Sequence, residues 1–204
     1  LRYNYDKKAA DYDRKTYGGL QTTDPALLAL KRLVYTDQSF TSSTDDTDFS
    51  GNLTVNYKVS DKVNAYATYA KSYKPVGVNV AGLPTIAGQP ALDLAVIKPE
   101  SVNHYEFGIK SSPIKNSVLN LTFFNTEIKD FQTNVQAAEL GVNRGYLANA
   151  DKVRVKGIEL DASFILNKHF SFNAAATYSD GKYVTFTNAP LPLEETGAAV
   201  SFKD

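Results

Sequence analysis

The residues best suited to chemistry are few, and most are spaced two apart. His104 stands two residues before Glu106, and Glu159 two before Asp161. Paired carboxylates can divide general acid and general base duties, and a histidine beside a carboxylate can relay a proton. A spacing of two, however, puts each pair side by side on one face of an extended strand. A solvated face, or a contact with another polar element, explains them better than acid–base catalysis. His104 reads in the same way, as a polar contact rather than a metal ligand. His169 is the only other histidine, and there is no cysteine, which removes thiol catalysis, disulfides and cysteine-based zinc sites. The stretch Ser42-Ser-Thr-Asp-Asp-Thr47 is polar and partly acidic but lacks the ligand spacing of a calcium loop, and it is expected to be an exposed loop end. Asn52 and Asn120 open Asn-Leu-Thr triplets, but both fall inside strand patterns, so the glycosylation match is coincidental. No catalytic residue, resident cofactor or metal site is assigned.

The chain has 204 residues, with 22 Lys plus Arg balanced by 22 Asp plus Glu. Zero net charge argues against nucleic acid as a partner. Neither Met nor Trp occurs, so the chain is expected to be a processed product or a section of a longer one. Mean hydropathy is −0.31. No apolar run reaches the ~18 residues of a membrane-spanning helix, whereas membrane strands, being only half apolar, remain allowed.

Period-two alternation dominates. In residues 48–60, Phe49, Gly51, Leu53, Val55, Tyr57 and Val59 alternate with Asp, Ser, Asn, Thr and Lys. Tyr105, Phe107 and Ile109 oppose His104, Glu106, Gly108 and Lys110; Ile158, Leu160, Ala162 and Phe164 oppose Gly157, Glu159, Asp161 and Ser163. Further strands are predicted at Leu1–Asp6, 63–74, 118–132 and 170–179. Two aromatics break the pattern: Tyr66 and Phe124 fall on otherwise polar faces. Connections alternate between short (60–62, 113–117, 167–169) and long (about 18–47, 81–101, 137–152 and 187 onward). Within the first long connection, Asp24-Pro25 followed by an apolar run ending in Lys31-Arg32 predicts a capped helix whose Leu face packs on the sheet rim.

This gives seven strands, with an eighth starting near Ala198. Bacterial outer-membrane barrels close with an even number of strands, and open edges are untenable in lipid. The fold class expected is therefore an all-β, antiparallel transmembrane barrel section with short turns on one side and long loops on the other. Tyr3, Tyr5, Tyr57, Tyr69, Tyr105, Phe170, Phe172 and Tyr178 are expected to form interfacial girdles. Glu106, Glu159 and Asp161 would face a wet lumen and pair with Arg154, Lys110 or a second domain. Gly157 on that side would permit a bend or a close approach.

Four phrases, in this order, resemble the C-terminal half of the barrel of TonB-dependent outer-membrane receptors. They are Tyr66-Ala-Thr-Tyr-Ala-Lys-Ser-Tyr-Lys-Pro75 with Gly77-Val-Asn79; Lys98-Pro-Glu-Ser-Val-Asn-His-Tyr-Glu-Phe-Gly-Ile-Lys110; Leu119-Asn-Leu-Thr-Phe-Phe-Asn-Thr-Glu-Ile-Lys-Asp-Phe-Gln132; and Asn149-Ala-Asp-Lys-Val-Arg-Val-Lys-Gly-Ile-Glu-Leu-Asp161. The resemblance implies that residues 1–204 are part of a 22-stranded barrel in the outer membrane of a Gram-negative bacterium. It implies a plug domain and a box engaging TonB, both outside this sequence, and energised uptake of a scarce ligand, most often an iron–siderophore complex, without enzymatic chemistry. Ligand contacts are then expected at the outer strand ends and loops: Tyr73, Lys74, Asn79, Gln132, Asn134, Asn143, Arg144 and Tyr146. Lys74 and Arg144 suit an anionic ligand, and Tyr73 and Tyr146 offer stacking faces. Two other classes compete: a passive porin-type channel with an open lumen, and a soluble all-β adhesion or carbohydrate-binding module with its aromatics buried.

Overall fold

In the computed structural model, all residues are described except 20, 35–36, 81, 87–88, 137–144, 188 and 190–204. Seven long strands form one antiparallel meander: β1 (Arg2–Arg14), β2 (Gln38–Ser60), β3 (Val63–Lys74), β4 (Glu100–Ser111), β5 (Ser117–Gln136), β6 (Gly145–Ile165) and β7 (Ser171–Thr185). Each pairs only with its sequence neighbours, in the order β1 to β7. The eighth strand expected near Ala198 lies outside the described residues.

The register turns the sequence alternation into two continuous surfaces. On one face Val55, Ala67, Phe107, Phe123, Ile158 and Tyr178 stand in a single row across β2 to β7. The next row is Tyr57, Ala65, Ile109, Leu121, Leu160 and Ala176. Large apolar side chains on this face are exposed: Leu53 at 67% and Tyr178 at 69%. From Phe49 to Tyr57, or Phe170 to Tyr178, the apolar rows extend over the ~9–11 residues that a tilted strand needs to cross a bilayer. The aromatics expected to form girdles are all exposed, and Tyr69 and Tyr105, paired in register, hold their rings 5.3 Å apart.

The opposite face is polar and internally bonded. Thr54 and Thr68 share a hydroxyl hydrogen bond of 2.9 Å across β2 and β3. Tyr66 donates to Glu106 at 2.5 Å and lies 3.2 Å from the Thr122 hydroxyl. His104 sits between Thr126 (Nδ1, 2.8 Å) and Glu106 (Nε2, 3.3 Å). The pairing of Glu159 with Arg154 does not form, because Arg154 shares the apolar face with Ile158 and Glu159 points the other way.

This face also accounts for the two misplaced aromatics. Tyr66 is in register with Gly108, and Phe124 with Gly157. A Cβ at Gly108 would run into the Tyr66 ring, and one at Gly157 would stand 2.6 Å from the Phe124 ring. Each aromatic thus lies flat over a glycine on the next strand, where a side chain would exclude it. Gly157 is explained within the sheet twice over: a Cβ there would clash first with the Tyr178 carbonyl oxygen on β7 and then with the Phe124 ring.

Short turns match the expected positions. Asn116 adopts φ +57°, a left-handed conformation that Asn tolerates, and the Asn167 carboxamide accepts from the amides of His169 and Phe170. Helix α1 (Pro25–Val34) begins as predicted, with Asp24 Oδ1 accepting from Ala26 N at 2.8 Å. Of its leucines, Leu27 is exposed and Leu28 half-buried, and the side chains of Leu30 and Leu33 lie outside the described residues.

The main departure is β2. Its outer third was expected to be loop, yet Ser42 to Thr47 are strand, paired with Tyr5 to Ala10 of β1. Ser, Thr and Asp on both faces erase the period-two signal while leaving the backbone ladder intact.

The ring-over-glycine packing is tested with Gly108→Ala. In the native background overpacking should destabilise by about 1–3 kcal/mol, read from the urea midpoint at constant m-value. In a Tyr66→Ala background the cost should fall to near zero. An equal cost in both backgrounds would contradict the contact.

Candidate functional site

Residues 75–99 connect β3 to β4 at the long-loop end and lie across the outer parts of the sheet. Two two-residue ladders, Gly77–Val78 with Val96–Ile97 and Thr85–Ile86 with Gln89–Pro90, and the 3-10 turn Leu92–Leu94 give the segment its shape. At one end, Leu83 and Ala95 pack with Phe40 of β2 and Tyr12 of β1. The Tyr12 and Phe40 ring centroids are 4.9 Å apart.

What holds this segment is a set of carboxamide side chains acting as surrogate peptide groups. Gln38 of β2 donates to Leu83 O (2.6 Å) and accepts from Leu83 N (2.9 Å). Asn79 repeats the arrangement on β6, donating to Leu147 O (2.9 Å) and accepting from Leu147 N (2.8 Å). It also donates to Leu94 O. Asn149 of β6 does the same for Lys98, accepting from its N (2.9 Å) and donating to its O (3.0 Å). Gln132 of β5 donates to Pro75 O and Lys98 O. Beyond Lys152, β6 has no β7 partner, so Asn79 satisfies peptide groups that would otherwise be orphaned.

The candidate residues divide accordingly. Asn79 (2% exposed) and Gln132 are buried supports. Tyr73 donates to Asp6 at 3.2 Å, joining β3 to β1. Lys74 is half-exposed and pairs with Glu100 at 3.2 Å. Asn134 is exposed. Tyr146 is half-buried, and burial, aided by the Asp93 carboxylate, raises its phenol above the usual range. Asn143 and Arg144 lie outside the described residues. Tyr146 lines a cleft of about 290 Å³ together with Asp93, Lys98, Asn149, Phe186 and Thr187. Phe186 stacks on Tyr183 with centroids 5.6 Å apart, and Asp151 accepts from Thr187 N at 2.6 Å, which holds its carboxyl below the usual range.

Sequence reasoning missed Glu100, Asp93, Lys98 and Phe186. Glu100 is a buried carboxylate that takes both the Lys74 ammonium and the Gln132 amide. Its one sequence signal is a charged residue directly after Pro99, where β4 starts. The cleft combines aromatic faces with one carboxylate and one ammonium, a set suited to noncovalent recognition of a ligand with apolar and polar parts.

Asn79→Ala should strip two hydrogen bonds from Leu147 and release the segment. We expect exchange of the Leu147 amide to quicken at least tenfold, measured by hydrogen–deuterium exchange, while amides in the apolar rows keep their protection. Unchanged exchange would show that Asn79 is dispensable. A second expectation concerns pH. The Asp151 carboxyl is depressed, so the stability it lends to docking of Thr187 is present above the unfolded pKa of about 3.9 and lost as pH falls through its lower folded value. Thr187 amide protection should therefore hold at pH 5 and fall only in stronger acid. An Asp151→Asn variant should show weaker protection already at neutral pH.

Comparison with known proteins fits this architecture. Residues 1–199 match the family described as TonB dependent receptor-like, beta-barrel. The ferrichrome outer membrane transporter/phage receptor of Escherichia coli K12 is 26% identical over 153 residues, covering 72% of this chain and 18% of that protein. The pesticin receptor of Yersinia enterocolitica is 24% identical over 164 residues, covering 80% and 20%. The chain thus spans about a fifth of the length of these curated relatives. Among solved structures, the ferric yersiniabactin uptake receptor of Yersinia pestis superposes with a TM-score of 0.57 at 22% identity, covering 90% of this chain and 24% of that one. The ferric-catecholate import receptor of E. coli K12 gives a TM-score of 0.52 at 18% identity, covering 92% and 25%. A face of exposed apolar rows, a polar opposite face and this match together set aside the soluble module: the chain belongs to the TonB-dependent receptor β-barrel family of the bacterial outer membrane.

Proposed function

We propose that this chain forms one section of a larger barrel in a receptor that imports a scarce ligand, an iron–siderophore complex, with energy delivered through TonB. The missing strands and a plug domain complete the barrel in this reading, and the chain performs no covalent chemistry. The family match over residues 1–199 is the observation that carries the proposal. The uptake of ferric or siderophore ligands named for the relatives supports the choice of cargo.

Within the section, this reading gives the following roles, which the geometry supports. Tyr146 with Phe186 offers the aromatic surface, and Asp93 and Lys98 offer the polar contacts. Lys74 and Asn134 offer further polar contacts at the long-loop end; the expected contacts Asn143 and Arg144 lie outside the described residues. Tyr73, Asn79 and Gln132 act by holding the 75–99 segment in place.

The test uses the whole receptor carrying this chain, produced in a Gram-negative host stripped of its own siderophore receptors. Uptake of radioiron from a panel of siderophores should appear for one ligand class and fall to background when TonB is deleted. Tyr146→Ala should weaken binding of that ligand roughly 5- to 30-fold, about 1–2 kcal/mol. Uptake that is independent of TonB would instead support a passive channel.

A further inference from the structure

Glu100 is only 7% exposed, yet it does not line the cleft. It opens β4 immediately after the 75–99 segment and stands directly opposite Lys74, the last residue of β3 before that segment. Lys74 Nζ donates to Glu100 Oε1 at 3.2 Å. The same oxygen accepts from Gln132 N of β5 at 2.8 Å. The β4–β5 ladder has ended by then: its last pair is Ser101 with Lys129, and Asp130 adopts φ +53°. The Gln132 amide would be a buried donor without a strand partner on that side, and the carboxylate serves it.

Gln132 passes this anchoring on. Its Nε2 donates to Pro75 O at 2.9 Å and to Lys98 O at 3.0 Å, carbonyls at the two roots of the segment. Gln132 is in register with Asn149 of β6, which grips Lys98 through its N and O and also donates to Asp130 O. Hydrogen bonds therefore run without a break from Glu100 through Gln132 to Lys98 and Asn149, and the last two line the cleft. The Lys98 side chain is 75% exposed, and its ammonium stands 3.8 Å from Asp130 Oδ1. An ion pair so open to water fixes little, so the backbone anchors of Lys98 decide where its side chain reaches.

We propose that Glu100 is a positioning residue for ligand recognition at the cleft, acting through Gln132 on Lys98 and touching no ligand itself. By drawing Lys74 and Gln132 onto one oxygen, it closes the base of the 75–99 segment. The closed base sets where Lys98 stands in the cleft it shares with Tyr146. A binding group held in place beforehand raises affinity, because less ordering remains to be done when ligand arrives. A carboxylate suits this place, since it accepts from both donors and brings no hydrogen of its own. The inference rests on the cleft being the ligand site, as proposed above.

The test uses the whole receptor carrying this chain, as Glu100→Ala and as Glu100→Gln. Gln keeps a side-chain oxygen for the Gln132 amide, and Ala does not. Hydrogen–deuterium exchange is read first, without ligand. In Glu100→Ala the Gln132 amide should exchange about tenfold faster and the Lys98 amide about fivefold faster. Glu100→Gln should bring both back to within about twofold of wild type. Amides of Phe107 and Phe123 should not change in either variant. Iron-55 uptake from the siderophore panel is read second. For the class that enters by the TonB route, Glu100→Ala should raise the half-saturating concentration about fivefold and leave the maximal rate within about twofold. Unchanged exchange at Lys98, no rescue by Gln, or a fall in maximal rate at unchanged half-saturation would each overturn the proposal. If no siderophore enters by the TonB route, the uptake reading fails, and exchange at Lys98 still decides this inference. If Glu100→Ala forms no barrel by heat-modifiable gel mobility, Gln132→Met keeps the backbone amide and removes only the Nε2 bonds. Exchange at Lys98 should then quicken about threefold, and no change there overturns the proposal.

Discussion

Inside a bilayer no water is present to accept or donate a hydrogen bond, so every peptide group on a lipid-embedded segment must find a protein partner. The rest of the structure depends on that constraint. It demands strands paired along their whole embedded length, and pairing in turn fixes register. Once register is fixed, period-two alternation sends every second side chain to lipid. A slip of one residue would reverse the two faces and bury Glu106 and Glu159 in hydrocarbon. The row from Val55 to Tyr178 is therefore a consequence of backbone chemistry as much as of side-chain preference.

The same accounting explains the outer segment. Where strands outrun their neighbours, peptide groups on β6 lose their ladder, and the Asn79 carboxamide takes over at Leu147. Gln38 and Asn149 reverse the roles, with strand side chains pairing the backbone of the 75–99 segment at Leu83 and Lys98. A loop fixed in this way can carry Asp93 and Lys98 into a cleft beside Tyr146 without a large apolar core of its own. The small core that does exist, Phe40 with Leu83 and Ala95, sits at the other end of the segment. Position is set by directional bonds, which suits the ligand-presenting role proposed for this surface.

Legibility in the sequence followed the strength of the alternation. β4, β6 and β7 could be read directly because lipid imposes an apolar residue at every second place. Tyr66 and Phe124 looked like errors within their own strands. They make sense only beside Gly108 and Gly157 on the neighbouring strands, and that relation is invisible until register is known. The outer part of β2 was missed because it is paired but not lipid-facing, so nothing forces contrast between its faces. The candidate site was legible as a region and less so as roles. Asn79 and Gln132 stood out as polar residues near strand ends, but their partners are 68 and 57 residues away in sequence. Phe186 lay past the last recognised strand and carried no signal of its own.

The central claim is that odd-numbered residues of β5 between Leu119 and Phe123 face lipid while their even neighbours face the lumen. This chain has no native cysteine, so each cysteine introduced into it is unique within the section. Each position from 119 to 124 of the whole receptor in lipid nanodiscs would carry a fluorophore, quenched in turn by brominated acyl chains and by aqueous iodide. The account predicts strict alternation, with bromolipid quenching at 119, 121 and 123 and little at 120, 122 and 124. Quenching that is uniform along the segment, or alternation of the opposite phase, would contradict it.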